Sequence, residues 1–112
     1  MITVIIFIGL GAMTCSKKLI EIEGQRGIFQ ITIVLQKNGE VLYGNLYNNK
    51  SLVEISNNTT AKRALDLLLR HELISQRAFE GRKAIYYRLT PKGERFARLV
   101  TEMEQILDGS EL

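Results

Sequence analysis

Residues 57–74 read NNTTAKRALDLLLRHELI, and the reading of this stretch decides the fold. Asn57 is placed to cap a helix, because its side-chain oxygen can accept a hydrogen bond from a first-turn N–H that lacks a helical partner. Behind it Ala61, Ala64, Leu65 and Leu68 recur at i, i+3, i+4 and i+7, the spacing of one buried helical face. Thr59, Lys62, Arg63, Asp66 and Arg70 fall on the opposite side. Leu73 and Ile74 then begin an extended stretch. Residues 76–79 and 84–89 flank Glu80, Gly81, Arg82 and Lys83, which predicts a β-hairpin with a basic, glycine-containing tip. Thr90-Pro91 opens another helix, with a capping residue and a proline at the first helical position, where its missing N–H would have no partner anyway. Phe96, Leu99, Val100, Met103, Ile106 and Leu107 continue the apolar stripe of that helix, over residues 91–108.

Upstream the pattern is more open. Residues 18–23 alternate in the manner of a short strand, closed by Gly24 and Gly27. In residues 28–37, Phe29, Ile31, Ile33 and Leu35 alternate as a strand would, while Ile28, Ile31, Val34 and Leu35 make a helical stripe, and periodicity alone leans toward strand. Asn38-Gly39 stops either element, as a hairpin turn or a helix C-cap. Between residues 41 and 49, Leu42 and Leu46 stand at helical spacing, as do Tyr43 and Tyr47, weakened by Gly44 and the asparagines. The first twelve residues are almost wholly apolar and carry no charged side chain. That run is shorter than the ~20 residues of a membrane-spanning helix and lacks the basic start of a secretory signal. Three readings stand: a buried or interface-packed strand, a membrane-proximal segment, or sequence ahead of a start at Met13.

The whole chain, 112 residues with 46% apolar and 24% charged side chains, fits one globular domain and excludes a disordered or fibrous protein. Its single cysteine, Cys15, forms no internal disulfide and no zinc cage. It reads as packed or incidental, with activation by Lys17 and Lys18 for oxidant sensing as the sharper alternative. The net charge of +3 hides an uneven distribution. Residues 1–58 carry +1 from their side chains, residues 59–98 hold ten Lys or Arg against four acids, and residues 99–112 hold four acids and no Lys or Arg. A basic middle of this kind suits a polyanion-binding surface, although a solvated charged face is the bland alternative.

Helix, helix, hairpin with a basic tip, then helix is the order of a winged helix-turn-helix. Residues 57–74 resemble the recognition helix of prokaryotic winged-helix transcription regulators of the MarR, PadR and ArsR kind, and Tyr86-Tyr87-Arg88-Leu89-Thr90-Pro91-Lys92-Gly93 resembles their second wing strand running into the last helix. The resemblance spans residues 26–107. It implies an α+β fold with a three-helix core, a hairpin wing and a long C-terminal helix, and it makes residues 28–37 the first helix. The expected domains are an apolar N-terminal segment with short strands over 1–24 and the winged-helix domain over 25–112. Two departures stand out. Glu72 occupies the place where these families usually put the glycine that ends the recognition helix, and residues 43–55 are asparagine-rich and longer than the usual second helix and turn.

The function implied is a sequence-specific regulator of transcription acting in the cytoplasm on double-stranded DNA, with helix 57–71 in the major groove and hairpin 75–89 on the backbone or minor groove. Arg63 is expected to fork onto a guanine and Asn58 to pair with an adenine edge, while Thr59 and Lys62 hold phosphates. Arg82 and Lys83 at the hairpin tip are expected over the adjacent minor groove, with Arg77 behind them. The alternative for Arg63 is a structural ion pair with Asp66 or Glu72. The unspent stripe at Leu99, Met103 and Ile106 points to a homodimer through the C-terminal helix, with the N-terminal segment as a further contact. Packing of that stripe on the apolar N-terminus of the same chain is the rival. Lone His71 is expected at a helix end or partly buried. No constellation for catalysis, cofactor binding or metal ligation is apparent, so an enzyme is not expected. A winged helix used as a protein-interaction module, its basic surface on an acidic partner, is the competing function.

Overall fold

The computed structural model describes residues 14–47, 52–55, 57–78, 81 and 84–109. The apolar run 1–12 and the tip residues Arg82 and Lys83 therefore lie outside the described residues.

Helix α3 spans Asn58–Arg70 and starts as its sequence dictates. Asn57 Oδ1 accepts from the N–H groups of Thr59, at 2.7 Å, and Thr60, at 3.3 Å, a cap whose removal costs about 1 kcal/mol. Ala61, Ala64, Leu65 and Leu68 are all buried, and so is Leu67, which the single stripe leaves out. Helix α4 covers Pro91–Asp108, with Thr90 as its cap accepting from Gly93 N–H at 2.9 Å.

Helix α2 covers Ile28–Asn38, as the family resemblance implies and against the lean of periodicity. Ile28, Ile31, Thr32, Val34 and Leu35 form its buried face, whereas Phe29, one of the strand-pattern positions, is 43% exposed. Gly27 sets its start in a left-handed conformation, φ 97°, that a side chain would strain. Two expectations are corrected. Residues 18–23 belong to a short helix, α1 (Lys17–Glu23), because Ser16 Oγ caps it by accepting from Leu19 N–H at 3.1 Å. Only Ile22 of α1 is buried, so its apolar residues share no face from which periodicity could be read. Of residues 41–49, the described part, 41–47, holds no α-helix: Glu40–Leu42 is a strand, β1, followed by one 3₁₀ turn at Tyr43–Leu46. Cys15 is exposed and not packed.

The hairpin strands are β2 (Ile74–Ala78) and β3 (Ile85–Leu89). With β1 they form an antiparallel sheet in the order β1-β3-β2, in which Tyr87 pairs with Val41 on one side and Gln76 on the other. Val41, Ile74 and Tyr87 face a core shared with α2 and α3, and Glu40, Arg88 and Ser75 form a row across the outer face. Helix α2 also packs on α4, where Phe29 and Phe96 stack at 6.4 Å between ring centroids.

The turn between α3 and β2 is closed without the expected glycine. Glu72 itself takes the left-handed conformation, φ 60°. The carbonyls of three successive residues there are held from the start of α4: Lys92 Nζ donates to His71 O at 2.9 Å, Thr90 Oγ1 to Glu72 O at 2.7 Å, and Thr90 N–H to Leu73 O at 3.1 Å. Gly93 lies so close that a Cβ on it would sit 1.8 Å from Leu73 O.

Candidate nucleic-acid interface

The outward face of α3 collects four of the residues singled out from sequence. Asn58, Thr59 and Lys62 follow the cap, Arg63 stands one position further, and all four are exposed. Helical geometry puts Thr59 and Arg63 opposite Ala61, Ala64, Leu65 and Leu68, which face the core, with Lys62 and Asn58 on the flank toward Tyr43. Neither Lys62 nor Arg63 takes part in an ion pair among the described residues, so the alternative pairing of Arg63 with Asp66 or Glu72 is not formed.

The neighbouring arginines are differently employed. Arg70, on the last turn of α3, donates to Glu21 Oε2 of α1 at 2.8 Å, and the same carboxylate meets His71 Nε2 at 3.0 Å. His71 is therefore the C-cap of α3, with its side chain only 15% exposed. The hydrogen bonds from His71 and then Arg70 hold the Glu21 carboxyl below its ordinary range. Arg77 of β2 reaches across β3 to grip both oxygens of Glu40 on β1, at 3.0 and 2.5 Å. That contact lowers the Glu40 carboxyl and raises the guanidinium. Arg77 thus braces the sheet behind the tip.

Between α3 and β3 a cleft of about 300 Å³ is lined by Tyr43, Lys62, Leu65, Asp66, Ile85 and Tyr87. Tyr43, half-buried, donates its hydroxyl to Asn58 Oδ1. Its ring lies 5.4 Å from that of Tyr47 and 6.3 Å from that of Tyr87. Burial raises the hydroxyl pKa values of Tyr43 and Tyr87, which keeps both phenols protonated and able to donate. In the sequence Tyr43 and Tyr47 stand out only by their helical spacing. The Tyr43 contact joins residues 15 apart, and the Glu21–His71 contact joins residues 50 apart, so neither leaves a local signal. Tyr86 and Tyr87 alternate as expected, with Tyr87 inward.

No family model matches this sequence, and no curated protein matches it. Solved structures do match in shape. A protein assigned to the MarR family of transcriptional regulators, from Porphyromonas gingivalis W83, superposes with a TM-score of 0.67 at 18% identity, over 84% of this chain and 93% of its own. The chain has the winged-helix fold. A transcriptional regulator from Clostridium thermocellum gives 0.60 at 21% identity, over 86% of this chain and 93% of its own. NadR in complex with 4-hydroxyphenylacetate gives 0.64 at 16% identity, and the winged helix here, matched over 83% of its length, spans 64% of that chain. In winged-helix terms α2 and α3 are core helices and β2–β3 is the wing. Among the described residues no helix is long and apolar enough to cross a membrane, and no group of three His, Cys, Asp or Glu could hold a metal.

Proposed function

We propose that this chain is a transcription regulator that reads double-stranded DNA, with α3 in the major groove and the wing along the backbone or adjacent minor groove. The observation that carries this reading is the division of labour among cations. Arg70 and Arg77 are committed to carboxylates of the fold, while Lys62 and Arg63, beside Asn58 and Thr59, face outward from α3 without an ion pair among the described residues. A helix with such a face fits the major groove, where Arg63 can fork onto a guanine and Lys62 and Thr59 can hold phosphates. Arg82 and Lys83 extend the proposal to the tip of the wing.

The regulator is proposed to act as a homodimer. Leu99, Met103 and Ile106 of α4 are 60%, 42% and 64% exposed, an apolar stripe that the rest of the described chain leaves open. The charges beside it change sign along the helix, from Lys92 and Arg95 in the first turns to Glu102, and residues 99–112 add only acids. Antiparallel pairing of two copies sets basic half against acidic half, and parallel pairing sets like against like. Two-fold related α3 helices would then meet half-sites about one DNA turn apart.

Selection of duplexes from a random pool, followed by titration at several salt concentrations, tests the proposal. A preferred sequence is expected, with log affinity falling linearly in log salt as phosphate contacts release counterions. Arg63→Ala should cost about 1–3 kcal/mol on that sequence and relax preference at one base. Salt-independent binding, or no duplex binding at all, would turn the case toward the protein-interaction module.

A further inference from the structure

The first residue of α3 is not free to turn its side chain. Asn58 Oδ1 accepts the Tyr43 hydroxyl, and the Tyr43 ring is wedged between Tyr47 and Tyr87. Tyr87 is in turn 6% exposed and paired on both edges, with Val41 and with Gln76. A line of aromatic contacts therefore runs from the centre of the sheet to the amide at the tip of the reading face.

We propose that Tyr43 is a positioning residue for base selection, holding Asn58 with its Nδ2 donors outward so that the first position of α3 selects guanine. The inference rests on the reading of α3 as the groove helix. An asparagine reads adenine through both ends of its amide, giving a hydrogen to N7 and accepting one from the N6 amino group. With the oxygen engaged by the phenol, Asn58 presents donors alone. Of the major-groove edges, guanine alone offers two adjacent acceptors, N7 and O6, whereas adenine mixes donor with acceptor, thymine sets its one acceptor, O4, beside a methyl group, and cytosine offers a donor. Guanine replaces the adenine edge that sequence suggests for Asn58.

Duplex selection with the full chain and with Y43F, N58A and N58D tests this, each followed by titration on the winning duplex and its single-base variants. In the wild type, the position that N58A flattens should prefer guanine over adenine by about tenfold or more. Y43F keeps the ring and its packing but frees the amide, so that preference should fall below about threefold. The slope of log affinity on log salt and the base read by Arg63 should stay as they were, which mere loss of structure would not allow. N58D offers acceptors only and should turn the choice to cytosine, independently of how well Y43F folds. Guanine retained in Y43F or in N58D overturns the proposal, as does adenine, thymine or cytosine at that position in the wild type. A wild-type chain with no base preference anywhere sinks the groove reading itself, and this one with it, before any variant is compared.

Discussion

Replacing Glu72 by glycine should make the protein more stable. Glu72 closes the α3–β2 turn at φ 60°, a left-handed conformation that costs an L-residue roughly 1–2 kcal/mol. Glycine adopts it without that cost, although the freer unfolded chain takes back about 0.5–1 kcal/mol. Nothing else offsets the gain. The Glu72 side chain is exposed and has no ion pair among the described residues. Its backbone bonds, N–H to Leu69 O at 2.9 Å and the carbonyl accepting from Thr90 Oγ1 at 2.7 Å, do not involve the side chain. The net is a stabilisation of about 0.5–1 kcal/mol, or roughly 2–8 °C in Tm for a domain of this size. Urea and thermal unfolding followed by circular dichroism measure it, with Glu72→Asn and Glu72→Ala alongside. Asparagine, which tolerates the left-handed region, should fall between glycine and the parent, and alanine should give no gain. A destabilised glycine variant refutes the strain argument, and an alanine variant as stable as the glycine one assigns the effect to the side chain instead.

Gly93→Ala should destabilise by about 3 kcal/mol, because its Cβ would meet Leu73 O at 1.8 Å and backbone must move; denaturant midpoints measure the loss. Glu21 and Glu40 both titrate below the ordinary 4.5 in the folded chain. Their ionised forms therefore add stability above that pH, and the addition is lost as pH falls through the lowered values. Unfolding measured between pH 6 and about 2.5 should show a steeper loss in the parent than in a Glu21→Gln/Glu40→Gln variant. Leu99→Glu in the exposed stripe of α4 should turn a dimer into a monomer in sedimentation experiments without lowering the unfolding midpoint of the monomer. A parent that is already monomeric at micromolar concentration rules out the α4 pairing.

Helices α3 and α4 could be read from sequence because their signals are local. A cap, a stop and a stripe long enough to show its period all lie within residues 57–71 and 90–108. Helix α2 could not be separated from a strand on its own pattern, since Ile31 and Leu35 serve both periods. What decides it is packing: α3, α4 and the sheet surround it, and Phe29 and Ile33 are left at its margins. The seven residues of α1 are too few for a period, and residues 18–23 happen to alternate as a strand would. Strand β1 has three residues and owes its conformation to pairing with Arg88, Tyr87 and Tyr86. The same contrast holds at the candidate site. The outward set of Thr59, Lys62 and Arg63 follows from helical spacing, and Asn58 from its place in the first turn, but the partners that distinguish free cations from committed ones do not. Glu40 meets Arg77 across 37 residues and Tyr43 meets Asn58 across 15, contacts that exist only once the sheet has formed.

The grip of α4 on the carbonyls of residues 71–73 ties the end of α3 to the start of α4, so any difference in the angle between the two helices would have its pivot there. With 13 residues, α3 is about 20 Å long, so a swing of about 10° at that pivot carries Asn58 sideways by about 3.4 Å, one base-pair step. A lever of that ratio leaves little slack: in a dimer joined through α4, the angle at which two copies cross would be written directly into the spacing between the bases they touch.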